Sequence, residues 1–280
     1  MGHEVIDTHC HLNMVEEFGI PHEVSLKQAE EAGVSEIVLI AVDQKSAEYH
    51  KSLCLSHNAT SKLKLRWTAG LHPEGAHDIS GVDDLLAFAA QSRSSEDFLG
   101  IGETGLDYYH STEFVANQKE SFRKHLTAAR EMEVPAVVHL RDSQKFDPAR
   151  TQSVADALQI VKETKARGVL HCFTYSLAEA VPFVDLGWYI SFSGITTYKN
   201  AAVIQQAAAG LPLDCILVET DAPFLTPNPV RGQTNQPAFV AHTLDFICKL
   251  RRDECGDDPS HTRTQILHNT RRFFSLKKQR

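Results

Sequence analysis

Short runs rich in valine, isoleucine and leucine alternate along the chain with longer stretches of helical period. The runs are Val5–Leu12, Glu36–Val42, Leu65–His72, Leu99–Asp107, Ala136–Leu140, Val169–Phe173, Trp188–Ser193 and Cys215–Asp221. Between them lie amphipathic segments such as Ser46–Ser56, Val82–Ala90, Gln118–Met132, Ser153–Ala166, Ser176–Leu186, Ala201–Ala208 and Ala238–Leu250. Nearly continuous apolar runs are the mark of parallel strands covered on both faces. Strand alternating with helix implies βαβ units. Eight such units at this length predict a single-domain (β/α)8 TIM barrel over residues 1–280, with a doubly wound sheet as the competing fold. The long irregular stretch Pro223–Pro237 follows the last strand, where loops of that length carry function.

Composition changes the picture only by exclusion. The 280 residues are 42% hydrophobic and 23% charged, an ordinary globular balance that excludes disorder, collagen and coiled coil. No apolar run is long enough for a membrane span, and no basic stretch leads into an apolar core near the N-terminus. The expectation is a soluble, cytoplasmic, monomeric protein without membrane contact. Cys10, Cys54, Cys172, Cys215, Cys248 and Cys255 form no CxxC pair and are read as reduced thiols. The formal net charge of −8 argues against binding nucleic acid by bulk electrostatics, though not against a local grip on phosphate.

The chemistry is concentrated where the apolar runs end. Alternation along a strand sends Asp7, His9 and His11 to one face, with Thr8, Cys10 and Leu12 on the other. Two imidazoles two residues apart can hold one metal ion. Glu103 closes the fourth run, His139 and Arg141 the fifth, His171 the sixth, and Glu219 and Asp221 the eighth. Such groups at the ends of apolar strands are costly to bury unless paired or bound to a cation. His9, His11, Glu103, His139, His171 and Asp221 are therefore the expected metal ligands. This ligand set suits zinc, manganese, cobalt or iron better than calcium, with magnesium tolerated. Six ligands exceed one tetrahedral site, so two divalent ions (Mg, Zn or Mn) are expected, with Glu103 as their bridge. Paired ions can generate a hydroxide near neutral pH and stabilise charge on a phosphoryl oxygen.

The segments DTHCHL, AGLHPE, GIGETGLDYY, PAVVHLRDS, LHCFTYS, LVETDAPFLTPNPVRGQTNQP and HNTRRFFSL resemble the TatD family of metal-dependent hydrolases. The similarity runs from about Asp7 to Leu276, in family order and spacing. The resemblance implies a barrel of the amidohydrolase type and phosphodiesterase chemistry on DNA, possible on RNA, commonly as a 3′→5′ exonuclease on single strands. It further implies one metal on His9, His11, Glu103 and Asp221 and a second on Glu103, His139 and His171. Water bridging the ions would be the nucleophile, with Asp221 both ligand and proton acceptor. His72, ending the third run, is assigned to phosphate or leaving-group contact, with a hydrogen bond to a neighbouring loop as the plainer alternative. The chain departs from the family at Val230, Gln233 and Gln236, where basic or acidic groups are usual, while Arg231, Gly232, Asn235 and Pro237 match. The departures bear on the grip on nucleic acid more than on catalysis.

Arg141 is expected to clamp phosphate, against a plainer reading as an ion-pair partner of Asp107. Asp7 is expected to accept the second ring proton of His9, and Glu219 to orient a ligand or a loop. Tyr198 and Lys199 can meet phosphate or a base, or simply line a solvated loop. Cys10 and Cys172 are read as core packing. Ten histidines, His110 and His125 among them, receive no role. The rival to DNA phosphodiester cleavage is amide or ester hydrolysis on the same metals, for instance D-aminoacyl-tRNA deacylation. A non-enzymatic barrel scaffold is the third possibility.

Overall fold

The computed structural model describes residues 4–142 and 152–276; Ser143, the last residue of the fifth-run motif, lies outside them. Its strands are β1 (Val5–Cys10), β2 (Val34–Leu39), β3 (Lys64–Ala69), β4 (Phe98–Asp107), β5 (Ala136–Arg141), β6 (Gly168–Leu170), β7 (Tyr189–Phe192) and β8 (Ile216–Val218). The helices are α1 (Leu12–Glu17), α2 (His22–Glu31), α3 (Gln44–Asn58), α4 (Val82–Gln91), α5 (Val115–Met132), α6 (Gln152–Thr164), α7 (Leu177–Val184), α8 (Ala202–Gly210), α9 (Val240–Cys255) and α10 (Pro259–Phe274). Sheet order follows chain order from β1 to β8, the order of the (β/α)8 barrel. A doubly wound sheet would reverse its strand order part-way, and this one does not.

By internal packing the chain divides into two compact units. One comprises the chain up to Leu39, Cys54–Arg66 and everything from Cys172; the other comprises Ile40–Leu53 and Trp67–His171. In the first unit β1 and β2 run parallel, with Ile6 opposite Glu36 and Asp7 opposite Ile37. β7 and β8 are parallel with Ile190 opposite Ile216. Thr8 Oγ1 donates to the Val218 carbonyl at 3.0 Å, and Cys10 bridges Ala222, so the ends of β1 and β8 lie together. Every residue of β1 and β8 is buried. At the far end of α8 the buried Arg251 donates to the carbonyls of Ala208 (3.0 Å) and Leu211 (2.9 Å) and pairs with Asp257. It thereby satisfies carbonyls that the end of a helix leaves without intrahelical partners.

In the second unit the part of β3 from Trp67 onward, β4, β5 and β6 follow one another in parallel pairs. All ten residues of β4 are buried, as its apolar run requires. Gly105 on β4 has φ +143°, and a Cβ there would lie 2.0 Å from the carbonyl oxygen of His139. Only glycine allows β4 to pass so close to β5, and that approach sets Glu103 and Asp107 against His139.

The expected strands are present but several end sooner. β3 stops before His72, β6 before His171 and β8 before Glu219, while His11 caps the start of α1 instead of ending β1. Asp221 has φ +58°, in the left-handed region. Alternation therefore does not aim these side chains. Each stands at the first turn after the ladder, where the backbone is free to rotate the side chain off the strand's two faces.

Candidate metal centre

In the first unit His9, His11 and Asp221 form a triangle. His9 Nε2 and His11 Nε2 are 3.1 Å apart, and each lies 3.6–3.7 Å from Asp221 Oδ1. All three residues are buried. The His11 N–H donates to the Ala222 carbonyl and the Asp221 N–H to the His9 carbonyl, so β1 and the segment after β8 hold one another at this point. Asp7 lies beneath. Its carboxylate accepts from the Thr220 hydroxyl (2.6 Å), the Thr220 N–H (2.9 Å) and the His9 N–H (3.3 Å). Burial pushes Asp7 up to about 8 against those hydrogen bonds. The expectation that Asp7 takes the ring proton of His9 is corrected: its oxygens are occupied by the Thr220 hydroxyl and N–H, brought in by the segment after β8, and by the His9 N–H. Glu219 Oε1 accepts the Cys172 N–H at 2.7 Å, so it does orient a loop. Cys10 is wholly buried and its thiol is raised well above the usual range by burial, consistent with packing.

In the second unit Glu103, His139 and His171 form a matching triangle. Glu103 Oε1 lies 2.8 Å from His171 Nε2 and 3.3 Å from His139 Nδ1, and the two nitrogens are 3.3 Å apart. His139 uses its other nitrogen, Nε2, to donate to Asp107 Oδ2 at 3.1 Å. Because a carboxylate only accepts, this bond puts the ring proton on Nε2 and leaves the Nδ1 lone pair facing Glu103 and His171. Burial works against charge on both partners. Their mutual hydrogen bond nonetheless holds Asp107 well below the carboxylate range, and with Glu103 it raises His139 above its ordinary value. Asp107 is fixed in turn by the N–H groups of Tyr109 and His110 at 2.9 Å, the His110 ring at 2.8 Å, and reciprocal bonds between its backbone and Gln118. Behind it Pro73, Glu74, His77, His110, Phe114 and Gln118 help to line a cavity of about 240 Å³.

His72 Nε2 stands 3.5 Å from Glu103 Oε1. Its Nδ1 accepts the Glu74 N–H at 3.2 Å, so the neutral ring keeps its proton on Nε2, pointed at the carboxylate. His72 thus presents a donor where His139 presents a lone pair. The backbone before it is clamped from below: the Leu71 N–H donates to Nε2 of His125 at 3.0 Å, and His125 Nδ1 donates to the Ser121 carbonyl at 2.7 Å. His125 is wholly buried, and burial lowers it to about 4.

Arg141 is exposed at the end of β5, with its guanidinium 3.9 Å above the Tyr109 ring. The alternative pairing with Asp107 is not formed among the described residues, because His139 and His110 occupy that carboxylate. Arg231 lies 4.1 Å over the Tyr198 ring, and the Tyr198 hydroxyl donates to the Thr226 carbonyl. Tyr198 is thus a support for Arg231 more than a free stacking surface.

Donor atoms about a tetrahedral ion at 2.0–2.1 Å sit about 3.3 Å apart. Both triangles have edges on that scale, and both mix imidazole nitrogen with carboxylate oxygen, so the residues present fit a divalent transition metal or magnesium. Sequence reasoning missed Asp107, His110 and His125. The first carried a signal, since 103, 105 and 107 share one strand parity; the two histidines carried none.

The comparisons agree with this chemistry. The family model described as TatD related DNase matches residues 6–275. The chain is 37% identical over 250 residues to an Escherichia coli protein named uncharacterized metal-dependent hydrolase YcfH, covering 88% of each. It is 32% identical to the Bacillus subtilis protein of the same description, YabD, covering 97% of this chain and 99% of that one. Among solved structures, the TatD homolog YJJV of Escherichia coli matches with TM-score 0.80 and 28% identity over 98% of both chains. A TatD family hydrolase from Entamoeba histolytica matches in fold, with TM-score 0.81 at 19% identity over 99% of this chain and 100% of that one. Among the described residues no helix is long and apolar enough to cross a membrane. By the match over nearly its whole length, this chain belongs to the TatD related DNase family.

Proposed function

We propose that the protein is a divalent-metal-dependent hydrolase that cleaves DNA phosphodiester bonds, working from the 3′ end of single strands. The observation that carries this reading is the pair of ligand triangles, His9–His11–Asp221 and Glu103–His139–His171, each built at strand ends. In a (β/α)8 barrel the strand ends carry the chemistry. Divalent ions bound there would supply Lewis acidity and a nucleophile at neutral pH. The chain's own groups do the rest. Asp107 holds His139 in the tautomer that leaves Nδ1 free to ligate. His72 offers its Nε2–H to a phosphoryl or leaving-group oxygen. Arg141, propped on Tyr109, presents a guanidinium to the strand's phosphates. Asp221 accepts the proton released on attack.

The test is a single-stranded oligonucleotide labelled at its 5′ end, incubated with protein loaded with magnesium, manganese or zinc. A ladder shortening from the 3′ end is expected, abolished by chelation and by Glu103→Ala or Asp221→Ala with the fold retained. Absence of cleavage with every metal, or turnover only of acyl esters and amides, overturns the proposal.

A further inference from the structure

Two large aromatic rings stand in solvent on the segments that follow His11 and Asp221 of the first triangle. Phe18 is 56% exposed and Phe224 is 44% exposed, and their rings meet edge-to-face at 5.9 Å and 82°. Their backbones, by contrast, are held. Phe18 caps α1, which starts immediately after His11, and its N–H donates to the Met14 carbonyl. Seven residues along that path place it about 10 Å from His11. The Phe224 N–H donates to the carbonyl of Asp221 at 2.9 Å, and the Asn235 side chain grips the carbonyls of Thr220 and Phe224 together. The two rings are therefore carried by backbones anchored to the segments that leave His11 and Asp221, and much of their surface stays exposed.

We propose that Phe18 and Phe224 form a stacking subsite for the nucleobase next to the scissile phosphate; the inference rests on the phosphodiesterase reading above. The chemistry favours a base over other occupants. An aromatic face accepts any base by stacking, which gives a nuclease grip without sequence preference. The chain needs such a grip, because its net charge is −8 and the segment 222–236 carries a single cation, Arg231. A protein partner is a poorer fit. The exposed part of two phenylalanines is on the order of 200 Å², far below the ~1,000 Å² of a stable interface.

The experiment uses the full chain, metal-loaded, with two single-stranded oligonucleotides of equal length. One carries bases throughout; the other has abasic tetrahydrofuran residues at its three terminal positions. The wild type is expected to favour the base-bearing strand about tenfold in kcat/KM, the difference lying in KM. In the Phe18→Ala, Phe224→Ala variant that ratio is expected to fall to about one. Phe224→Trp should keep the ratio, and its added fluorescence should be quenched by the base-bearing strand more than by the abasic one. Equal discrimination by wild type and double alanine variant overturns the subsite while leaving phosphodiester hydrolysis standing. Failure of the wild type to cut either strand overturns both.

Discussion

Replacing His125 by leucine should uncouple part of the protein's stability from pH. The imidazole is wholly buried, accepts the Leu71 N–H at 3.0 Å and donates to the Ser121 carbonyl at 2.7 Å. Leucine fills the space but leaves the Leu71 N–H without its acceptor, while the Ser121 carbonyl, inside α5, keeps its intrahelical bond. At roughly 1–3 kcal/mol for the one stranded group, the loss near pH 7.5 is about 2 kcal/mol. The sign of the pH effect follows from the lowered value, about 4, against an ordinary 6.5. Between those values the unfolded chain binds a proton that the native chain refuses, so acid favours unfolding. The stability contributed by neutral His125 is complete above about pH 6.5 and declines as pH falls toward 4. From pH 7.5 to 4.5 the wild type loses about 2.7 kcal/mol through this group, two pH units of differential proton binding. The variant has no such group. Guanidinium unfolding of metal-free wild type and variant at the two pH values should show a gap of about 2 kcal/mol at pH 7.5 that shrinks to within ~1 kcal/mol of zero in acid. A gap that stays constant with pH would refute the assignment of a buried neutral imidazole.

Two further outcomes follow from the second unit. Asp107→Asn removes the acceptor that fixes the His139 tautomer, and calorimetric titration should show metal affinity weakened about 10–100-fold; Asp83→Asn, an exposed partner of Lys124, should leave it unaltered. Gly105→Ala drives a Cβ to within 2.0 Å of the His139 carbonyl at a φ of +143°, and should cost upwards of ~4 kcal/mol in thermal or chemical unfolding. Gly81→Ala, which has a φ of −85° and open space about it, should stay within ~0.5 kcal/mol of wild type.

The fold was readable in the sequence because short apolar runs such as those of β2 and β8, alternating with segments of helical period, are what parallel strands covered on both faces leave behind. The ligand set was readable for a related reason: charge at the end of such a run demands a partner. What misled was the assumption that ligands sit on the strands. His11, His72, His171 and Asp221 follow the last ladder residue, and turn geometry aims them. Local sequence does not encode which of two acceptors a carboxylate meets. Asp7 therefore took Thr220, distant by over two hundred residues, in place of the His9 ring. Asp107 likewise took His139 and not Arg141. His125 sits in a segment with unremarkable pattern, and only folding brings it under Leu71, whereas His110 meets Asp107 across one local turn.

The central claim is that the two triangles hold the catalytic cations, and metal content measured alongside hydrolysis tests it most directly. Elemental analysis of wild type should give about two divalent ions per chain. His9→Ala with His11→Ala, and separately His139→Ala with His171→Ala, should each lower that number and abolish cleavage of single-stranded DNA while circular dichroism stays native. Undiminished metal and turnover in either double variant would contradict the account.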